Sequence, residues 1–200
     1  FKDKPFRKLK GDNNSYLSGI DFLEIEDDSG PYIVGERTNV IGSRKFKTLI
    51  TEGKLDEAAE IARKQVKAGA HIIDVCLSNP DRDEEEDMIA FLSKVTKMVK
   101  VPFMIDSQVP EVVEEAFKLT QGKCILNSVN LEDGEKSFEE LLPIVKKYGA
   151  AVVVGCIRGE MAVTAVDKLD VAIESYELLT KKYGIPEEDI IFDPSVFPCG

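Results

Sequence analysis

The stretch "YIVGERTNVIGSR", residues 32–44, joins a short apolar run to a group of charged and amide side chains. An apolar run that leads into a short glycine-containing loop and then an amphipathic helix is the usual opening of a βα unit. Parallel α/β folds bind their ligands with polar groups at the carboxyl ends of such strands. The stretch therefore predicts a first strand with a binding loop behind it, and the fold depends on whether the pattern recurs.

The pattern recurs along the rest of the chain. Short runs rich in Val and Ile, nearly continuous in apolar character, predict strands that are buried on both faces. These runs are 32–36, 70–75, 101–107, 124–129, 150–156 and 189–194. Segments with helical periodicity lie between them, at 55–69, 81–99, 109–120, 135–149 and 168–184. Strict alternation of strand and helix predicts a parallel sheet with right-handed crossovers.

Polar residues at the ends of these six strands separate two parallel architectures. A doubly wound sheet uses only the crest near its switch point, and the chain lacks a G-x-G-x-x-G motif. Polar ends on every strand fit a barrel, in which all strand tips converge on one axis. The residues are Glu36, Asn39, Asp74, Asp106, Asn127, Arg158 and Asp193. We therefore expect a (β/α) barrel.

Composition limits the partners and the domain organisation. The chain has 200 residues with a net charge of −11, which argues against nucleic acid as a partner. No apolar run is long enough to span a membrane. Four widely spaced cysteines and one histidine lack zinc-ligand spacing, so we expect no metal site and reduced thiols in a cytoplasmic protein. Residues 1–31, charged and turn-rich, are interpreted as a linker or N-terminal arm packed outside a domain that spans 32–200.

Motifs at the strand ends resemble a known family. The segments "IVGERTNVIGSRKF", "IIDV", "MIDS", "ILNSVN", "YGAAVVV" and "EDIIFDP" resemble the pterin-binding (methyltetrahydrofolate) domain of cobalamin-dependent methionine synthases. The resemblance covers residues 32–200 and implies a TIM-type (β/α)8 barrel of the dihydropteroate synthase-like kind, with only six of its strands in this sequence. Dihydropteroate synthase itself is disfavoured, because "IIDVCLSNPD" replaces the Gly-Gly-Glu-Ser type loop of that enzyme.

The resemblance implies a methyltransferase activity. The domain would bind 5-methyltetrahydrofolate and support transfer of the N5 methyl group to cob(I)alamin, in the synthesis of methionine from homocysteine. Cobalamin would be carried by a partner domain or protein, and zinc would belong to an upstream homocysteine-binding domain. The alternatives are a methyltetrahydrofolate:corrinoid/iron–sulfur protein methyltransferase, a non-catalytic folate-binding module and a purely structural partial barrel.

Three strand-end residues are the principal candidates for pterin recognition. Carboxylates accept from the N–H groups of a pterin and a carboxamide both donates and accepts. The resemblance places the ring on Asp106, Asn127 and Asp193. The alternative is a structural role, in which each residue caps a helix or holds a loop. In the family, the seventh strand brings an asparagine to N5, and no residue here can be assigned that role.

The first loop supplies the remaining candidates. The resemblance gives Gly42, Ser43 and Arg44 folate contacts, with the arginine on the carboxylate tail, whereas a solvated basic helix start is the alternative. Positive charge at Arg37, Arg44, Lys45 and Lys47 would admit an anionic ligand. Glu36 and Asn39 are expected to brace the loop, and Asp74 either contacts the ligand or supports other groups.

Three other features are assigned no catalytic or metal-binding role. The acidic run "DRDEEED", residues 81–87, suits a helix start through the macrodipole better than a metal site. His71 begins a strand and is expected to be structural, and nothing makes Cys76 a nucleophile.

Overall fold

The computed structural model describes residues 14–26 and 28–196. Strands in these residues form a two-stranded hairpin and a larger sheet. The hairpin consists of β1 (Ser15–Ser18) and β2 (Phe22–Ile25). The larger sheet contains β3 (Val34–Gly35), β4 (Ile72–Val75), β5 (Phe103–Asp106), β6 (Ile125–Leu131), β7 (Ala151–Arg158), β8 (Glu160–Met161) and β9 (Ile190–Asp193).

Helices connect the strands of the larger sheet. They are α1 (Arg44–Thr51), α2 (Leu55–Lys67), α3 (Glu84–Val95), α4 (Pro110–Leu119), α5 (Lys136–Tyr148) and α6 (Ala165–Glu177). A π-helical segment (Leu178–Tyr183) extends α6, and a 3-10 turn (Glu187–Asp189) precedes β9. The sequence pattern does not predict α1 as a separate helix. Its apolar residues Phe46, Leu49 and Ile50 are buried, and Gly53, with a φ of 69°, follows it before α2 begins.

The larger sheet is a curled half-barrel with six parallel strands. Strands β3, β4, β5, β6, β7 and β9 pair in this order, and each pair is parallel. The short β8 pairs antiparallel with the end of β7. This arrangement confirms the predicted TIM-type fold with six βα strands. Within the described residues β3 pairs only with β4 and β9 pairs only with β7, so both edges of the half-barrel are open.

The main core lies between the sheet and the helices around it. Its largest fully buried side chains include Phe46, Phe91 and Phe138, and the rings of Phe46 and Phe91 meet edge to face with centroids 5.0 Å apart. Strands β4, β5, β6 and β7 bury their apolar residues on both faces, as the continuous apolar runs predict, whereas the edge strand β9 is only partly covered and Phe192 is 37% exposed. The core therefore fixes the strand ends that carry the polar residues.

The β1–β2 hairpin closes the amino end of the half-barrel. Leu17, which is 2% exposed, packs with Ile72, Met104, Ile125 and other residues near the starts of the strands. The backbone of the hairpin donates hydrogen bonds to the loops before β5 and β6, from Asp21 N to Lys100 O at 3.0 Å and from Ser18 N to Lys123 O at 3.1 Å. Residues 14–25 of the predicted arm are thus part of the barrel packing. Residues 1–13 lie outside the described residues.

The edge strand β3 is partly covered by a side chain. Gln65 of α2 accepts a hydrogen bond at 2.7 Å from the backbone N–H of Arg37, two residues beyond β3. The Nε2 atom of Gln65 is buried without a hydrogen-bond partner. Beside it, a groove of about 670 Å³ is lined by residues of α1, α2 and the loop after β3. This groove does not contain the polar residues at the strand ends.

The acidic run and the histidine have structural roles. Asp83 caps α3 by accepting from Glu86 N, and Arg82 makes a bidentate ion pair with the buried Asp87, with both N–O distances 2.6 Å. His71 Nδ1 accepts a hydrogen bond from Ile33 N at 3.0 Å. The described residues contain no group of His, Cys, Asp or Glu side chains that could hold a metal ion. None of the described helices has the length and apolar character needed to cross a membrane.

Candidate functional site

Polar side chains from four neighbouring strands meet at the carboxyl end of the half-barrel. Asp106, the last residue of β5, is the register partner of Asn127, the third residue of β6. Asn127 Nδ2 lies 3.5 Å from Asp74 Oδ1 of β4, and Asn39 Nδ2 lies 3.3 Å from Asp106 Oδ2. The structure thus brings together Asn39, Asp74, Asp106 and Asn127. Their roles in ligand contact stay a prediction.

Burial and mutual repulsion raise the pKa values of these carboxyl groups. Asp74 is fully buried, and burial, followed by the charges of Glu36 and Asp106, raises its pKa to about 8. Burial first and the charge of Asp106 second raise the pKa of Glu36. The pKa of Asp106 is also raised, chiefly by burial. Asp74 Oδ2 is buried and has no hydrogen-bond partner within the described residues.

Asn39 organises the first loop. Its Oδ1 accepts hydrogen bonds from Ile41 N at 2.8 Å and Gly42 N at 3.0 Å, so one side chain folds the loop while its amide nitrogen reaches Asp106. Thr38 supports the arrangement from below, since it is fully buried and its hydroxyl donates to Asp74 O. These hydrogen bonds link the first loop directly to the carboxylate of Asp106, and a role of Asn39 in supporting a bound ligand stays a prediction.

The three residues that were predicted to contact folate, Gly42, Ser43 and Arg44, differ in burial and in hydrogen bonding. Ser43 is 8% exposed and caps α1 by accepting from Phe46 N at 3.3 Å. Gly42 is exposed, and an added Cβ would meet only the Asn39 side chain, at 4.0 Å. Arg44 is exposed and makes no ion pair within the described residues. The serine hydroxyl is therefore engaged by the helix, whereas the glycine and the arginine are open to a ligand.

Asp193 lies at the same edge of the sheet but in a separate group of contacts. It pairs with Gly155 of β7, and its Oδ1 accepts a hydrogen bond from Ser195 N at 2.7 Å. Lys168 of α6 donates to Ser195 O at 3.2 Å. Both backbone groups of Ser195, whose φ is 50°, are thus anchored. This leaves the second carboxylate oxygen of Asp193 at the end of β9.

Sequence reasoning missed the role of Lys168 at this edge, and it considered Cys76 only as a nucleophile, which it found no reason to propose. Lys168 was part of a predicted helix, and only the turn after β9 shows that it acts near Asp193. Cys76 is buried, and burial together with the charge of Asp106 raises the pKa of its thiol to about 12, so it stays a neutral donor. Cys76, Cys124 and Cys156 are all free and buried, whereas Cys199 lies outside the described residues. No sequence motif marks either Lys168 or Cys76.

Comparison with known proteins identifies the family. The model of the pterin-binding enzyme family matches residues 35–200, which include every candidate residue named above. The chain belongs to the pterin-binding enzyme family. The match does not distinguish methionine synthases from other members of the family.

Three solved structures share the fold of this pterin-binding chain. They are dihydropteroate synthases from Vibrio fischeri (19% identity, TM-score 0.63), Xanthomonas albilineans (16%, 0.64) and Thermus thermophilus (24%, 0.61). The Xanthomonas enzyme is in complex with indole-2-carboxylic acid and 6-chloroguanine. Each alignment covers 90% of this chain and 64–66% of the other, so the chain spans just under two thirds of the length of these enzymes. At these identities the likeness concerns the fold.

Proposed function

We propose that this chain binds 5-methyltetrahydrofolate and supports transfer of its N5 methyl group to cob(I)alamin. The observation that carries the proposal is the set of acceptors and one carboxamide at the carboxyl end of the half-barrel of a pterin-binding enzyme: Asp106, Asn127 and Asp193. A reduced pterin presents N–H donors beside a carbonyl acceptor along one edge. Two carboxylates and an amide complement that edge.

The buried carboxyl groups support the chemistry of methyl transfer. The methyl group is bonded to a tertiary amine nitrogen, which leaves poorly until it is protonated. Asp74, with its pKa raised to about 8, holds a proton at neutral pH close to Asn127 and Asp106. The site can therefore favour the protonated form of N5 through polar contacts, while its fixed side chains orient the ring. Cobalamin, when bound to a partner domain, would supply the nucleophile.

Three other functions are compatible with the same fold. Dihydropteroate synthase is favoured by the three solved neighbours, and we rank it second, because the residues that follow β4, "CLSNPD", depart from the loop expected of that enzyme. The corrinoid/iron–sulfur methyltransferase would share the pterin site and differ in the acceptor protein. A non-catalytic folate-binding module would share the binding and lack the transfer.

The partners follow from the proposed reaction. In methionine synthesis a cobalamin domain would approach the mouth formed by the strand ends. An upstream homocysteine-binding domain, with its own zinc, would use the methylated cofactor. We place this reaction in the cytoplasm.

Two parallel assays on the full-length protein test the proposal. In the first, the protein is mixed with 5-methyltetrahydrofolate and free cob(I)alamin, and loss of cob(I)alamin is followed by absorbance. In the second, the protein is mixed with a dihydropterin pyrophosphate and p-aminobenzoate, and dihydropteroate is measured. Methyl transfer that Asp106→Asn abolishes supports the proposal. Dihydropteroate formation assigns the synthase function instead, and folate binding without transfer assigns the carrier module.

A further inference from the structure

The thiol of Cys76 lies in the layer of polar side chains at the mouth of the half-barrel. The parallel register of β4 and β5 continues to the last residue of β4, so Cys76 lies opposite Asp106 one position further on. Asp106 is in turn the register partner of Asn127, and an isolated parallel bridge joins Cys76 to Asn39. These four residues therefore form one row that runs from the first loop to β6.

Cys76 faces the inside of the half-barrel. The residues that alternate with it along the strand, Ile73, Val75 and Leu77, belong to the core between the sheet and the helices. Asp74 and Cys76 lie on the other side of the strand, which faces the axis of the half-barrel. Cys76 is 1% exposed, and Oδ2 of the fully buried Asp74 has no partner within the described residues. This side of β4 thus brings a thiol and an unsatisfied carboxyl oxygen to the mouth.

The thiol both accepts and donates a hydrogen bond. Its sulfur accepts from the backbone of Ser78, which orients the side chain, and its S–H group donates to the carboxylate of Asp106. Burial, followed by the charge of Asp106, raises the pKa of the thiol to about 12, so the thiol keeps its proton at neutral pH. Asn39 Nδ2 lies 3.3 Å from Oδ2 of the same carboxylate. Asp106 therefore has two neutral donors, one from the first loop and one from the end of β4.

The other titratable groups that face Asp106 are acidic. They are Glu36 in the loop after β3, Asp74 of β4 and Glu84 of α3. Burial raises the pKa of Asp106 most, the hydrogen bond from Cys76 lowers it, and the charge of Glu84 raises it again. The thiol thus favours the ionised carboxylate, which is the form that accepts from the N–H groups of a pterin.

We propose that Cys76 is a positioning residue for pterin binding, whose thiol holds the Asp106 carboxylate in the orientation that accepts from the ring. This inference rests on the proposed function, because it assumes that a reduced folate occupies the mouth. A thiol suits this position, since it is a small, largely apolar group with a weak donor. A weak donor orients the carboxylate and leaves it a strong acceptor for the ligand.

Infrared spectroscopy of the ligand-free, full-length protein tests the hydrogen bond itself. The S–H stretching band of Cys76 is the band that disappears in Cys76→Ser. We expect Asp106→Ala to move this band to higher frequency, because the S–H group loses a charged acceptor, and Asp193→Ala to leave it in place. A band that Asp106→Ala does not move would overturn the proposal.

Equilibrium titration with 5-methyltetrahydrofolate over a range of pH tests the role in binding. At neutral pH, Cys76→Ala should bind about five- to twentyfold more weakly than the wild type. Cys76→Ser, whose hydroxyl can donate to the same carboxylate, should stay within about threefold of the wild type. The matched control is Cys124→Ala, which shortens another buried cysteine just before β6, at the amino end of the barrel, and should bind as the wild type does.

The pH profile separates positioning from packing. Without the thiol donor Asp106 is protonated more easily, so the affinity of Cys76→Ala should begin to fall at a higher pH than that of the wild type as the solution is made acidic. The titration of the ligand itself is common to all the proteins compared. Lost packing alone would weaken binding by the same factor at every pH.

Failure of the inference can be told apart from failure of the proposed function. Unchanged affinity in Cys76→Ala, a serine variant as weak as the alanine variant, or parallel pH profiles would each overturn the positioning role while folate binding by the wild type stands. If the wild type does not bind 5-methyltetrahydrofolate, the proposed function fails and the role of Cys76 in binding fails with it, whatever the infrared result.

Discussion

Asn39 and Asp106 are joined by a hydrogen bond from Nδ2 to Oδ2, 3.3 Å long, across 67 residues of sequence. The same asparagine side chain folds the loop that contains Gly42 through two backbone hydrogen bonds. The bond therefore makes the orientation of a strand-end carboxylate depend on the first loop. Loop and carboxylate are expected to respond together when this residue is changed.

Asn39→Ala is expected to weaken binding of a reduced folate by about 1–3 kcal/mol, because it removes the partner of Asp106 and leaves two backbone N–H groups without their acceptor. Equilibrium titration measures the loss. Asn79→Ala is the control, since Asn79 is a buried asparagine in the next βα loop that accepts a 3.4 Å contact from Asp81 N. Equal effects of the two substitutions would contradict a specific role for Asn39.

Lys168→Met is expected to weaken folate binding by about 1 kcal/mol, because the turn that follows Asp193 loses its charged anchor at Ser195 O. Lys168→Arg should restore part of the affinity, since a guanidinium can donate to the same carbonyl. Lys181→Met serves as the control, because Lys181 pairs only with Glu177 on the surface of the same helical segment. An arginine variant as weak as the methionine variant would argue against anchoring as the cause.

The buried acid Asp74 predicts a pH dependence of stability. The folded protein holds a proton on Asp74 up to about pH 8, whereas the unfolded chain releases it near the ordinary carboxyl pKa of 3.8. The stabilising contribution is fully present below the unfolded pKa and is lost as the pH rises through about 8. The free energy of unfolding of the wild type should therefore fall between the ordinary carboxyl pKa of 3.8 and about pH 8, and Asp74→Asn, which stays neutral, should show a smaller fall over the same range.

Urea denaturation at several pH values measures that slope. Asp170→Asn, which removes an exposed carboxylate from α6, is the matched control. Its free energy of unfolding should change with pH as steeply as that of the wild type. Identical slopes for the wild type and Asp74→Asn would show that Asp74 does not hold its proton in the folded state.

Gly122→Ala is expected to disturb the docking of the hairpin. A Cβ at Gly122 would lie 2.6 Å from Ser18 O and 2.8 Å from Gly19 O, and the residue has a φ of 74°. Gly134→Ala is the control, since Gly134 has a φ of 66° and open space around it. The control should lose about 1–2 kcal/mol from its left-handed backbone, and Gly122→Ala about 1–3 kcal/mol more from the collision. Equal losses in the free energy of unfolding, measured by urea denaturation, would mean that the hairpin shifts to accommodate the added Cβ without loss of stability.

The strand ends were predictable because periodicity and polarity coincide there. Asp106 and Asp193 end their strands, and Asp74 and Asn127 interrupt the apolar runs of β4 and β6, so parallel pairing brings these polar residues to the same region of the sheet. The hairpin was not predictable, because Leu17 becomes buried only when the starts of four strands surround it. The same holds for Lys168, whose partner is a backbone carbonyl 27 residues away. Contacts of this kind depend on tertiary approach and leave no periodic signal.

The measurement that tests the central claim most directly is an equilibrium titration of the full-length protein with 5-methyltetrahydrofolate, made with the wild type and with Asp193→Ala. We predict saturable binding by the wild type. The variant should lose about 2 kcal/mol or more of binding free energy, roughly thirtyfold in affinity, because N–H donors of the bound pterin then lack their acceptor. Circular dichroism establishes that the variant is folded. Absence of binding by the wild type, or unchanged affinity in a folded Asp193→Ala protein, would contradict the claim that these strand ends form a folate site.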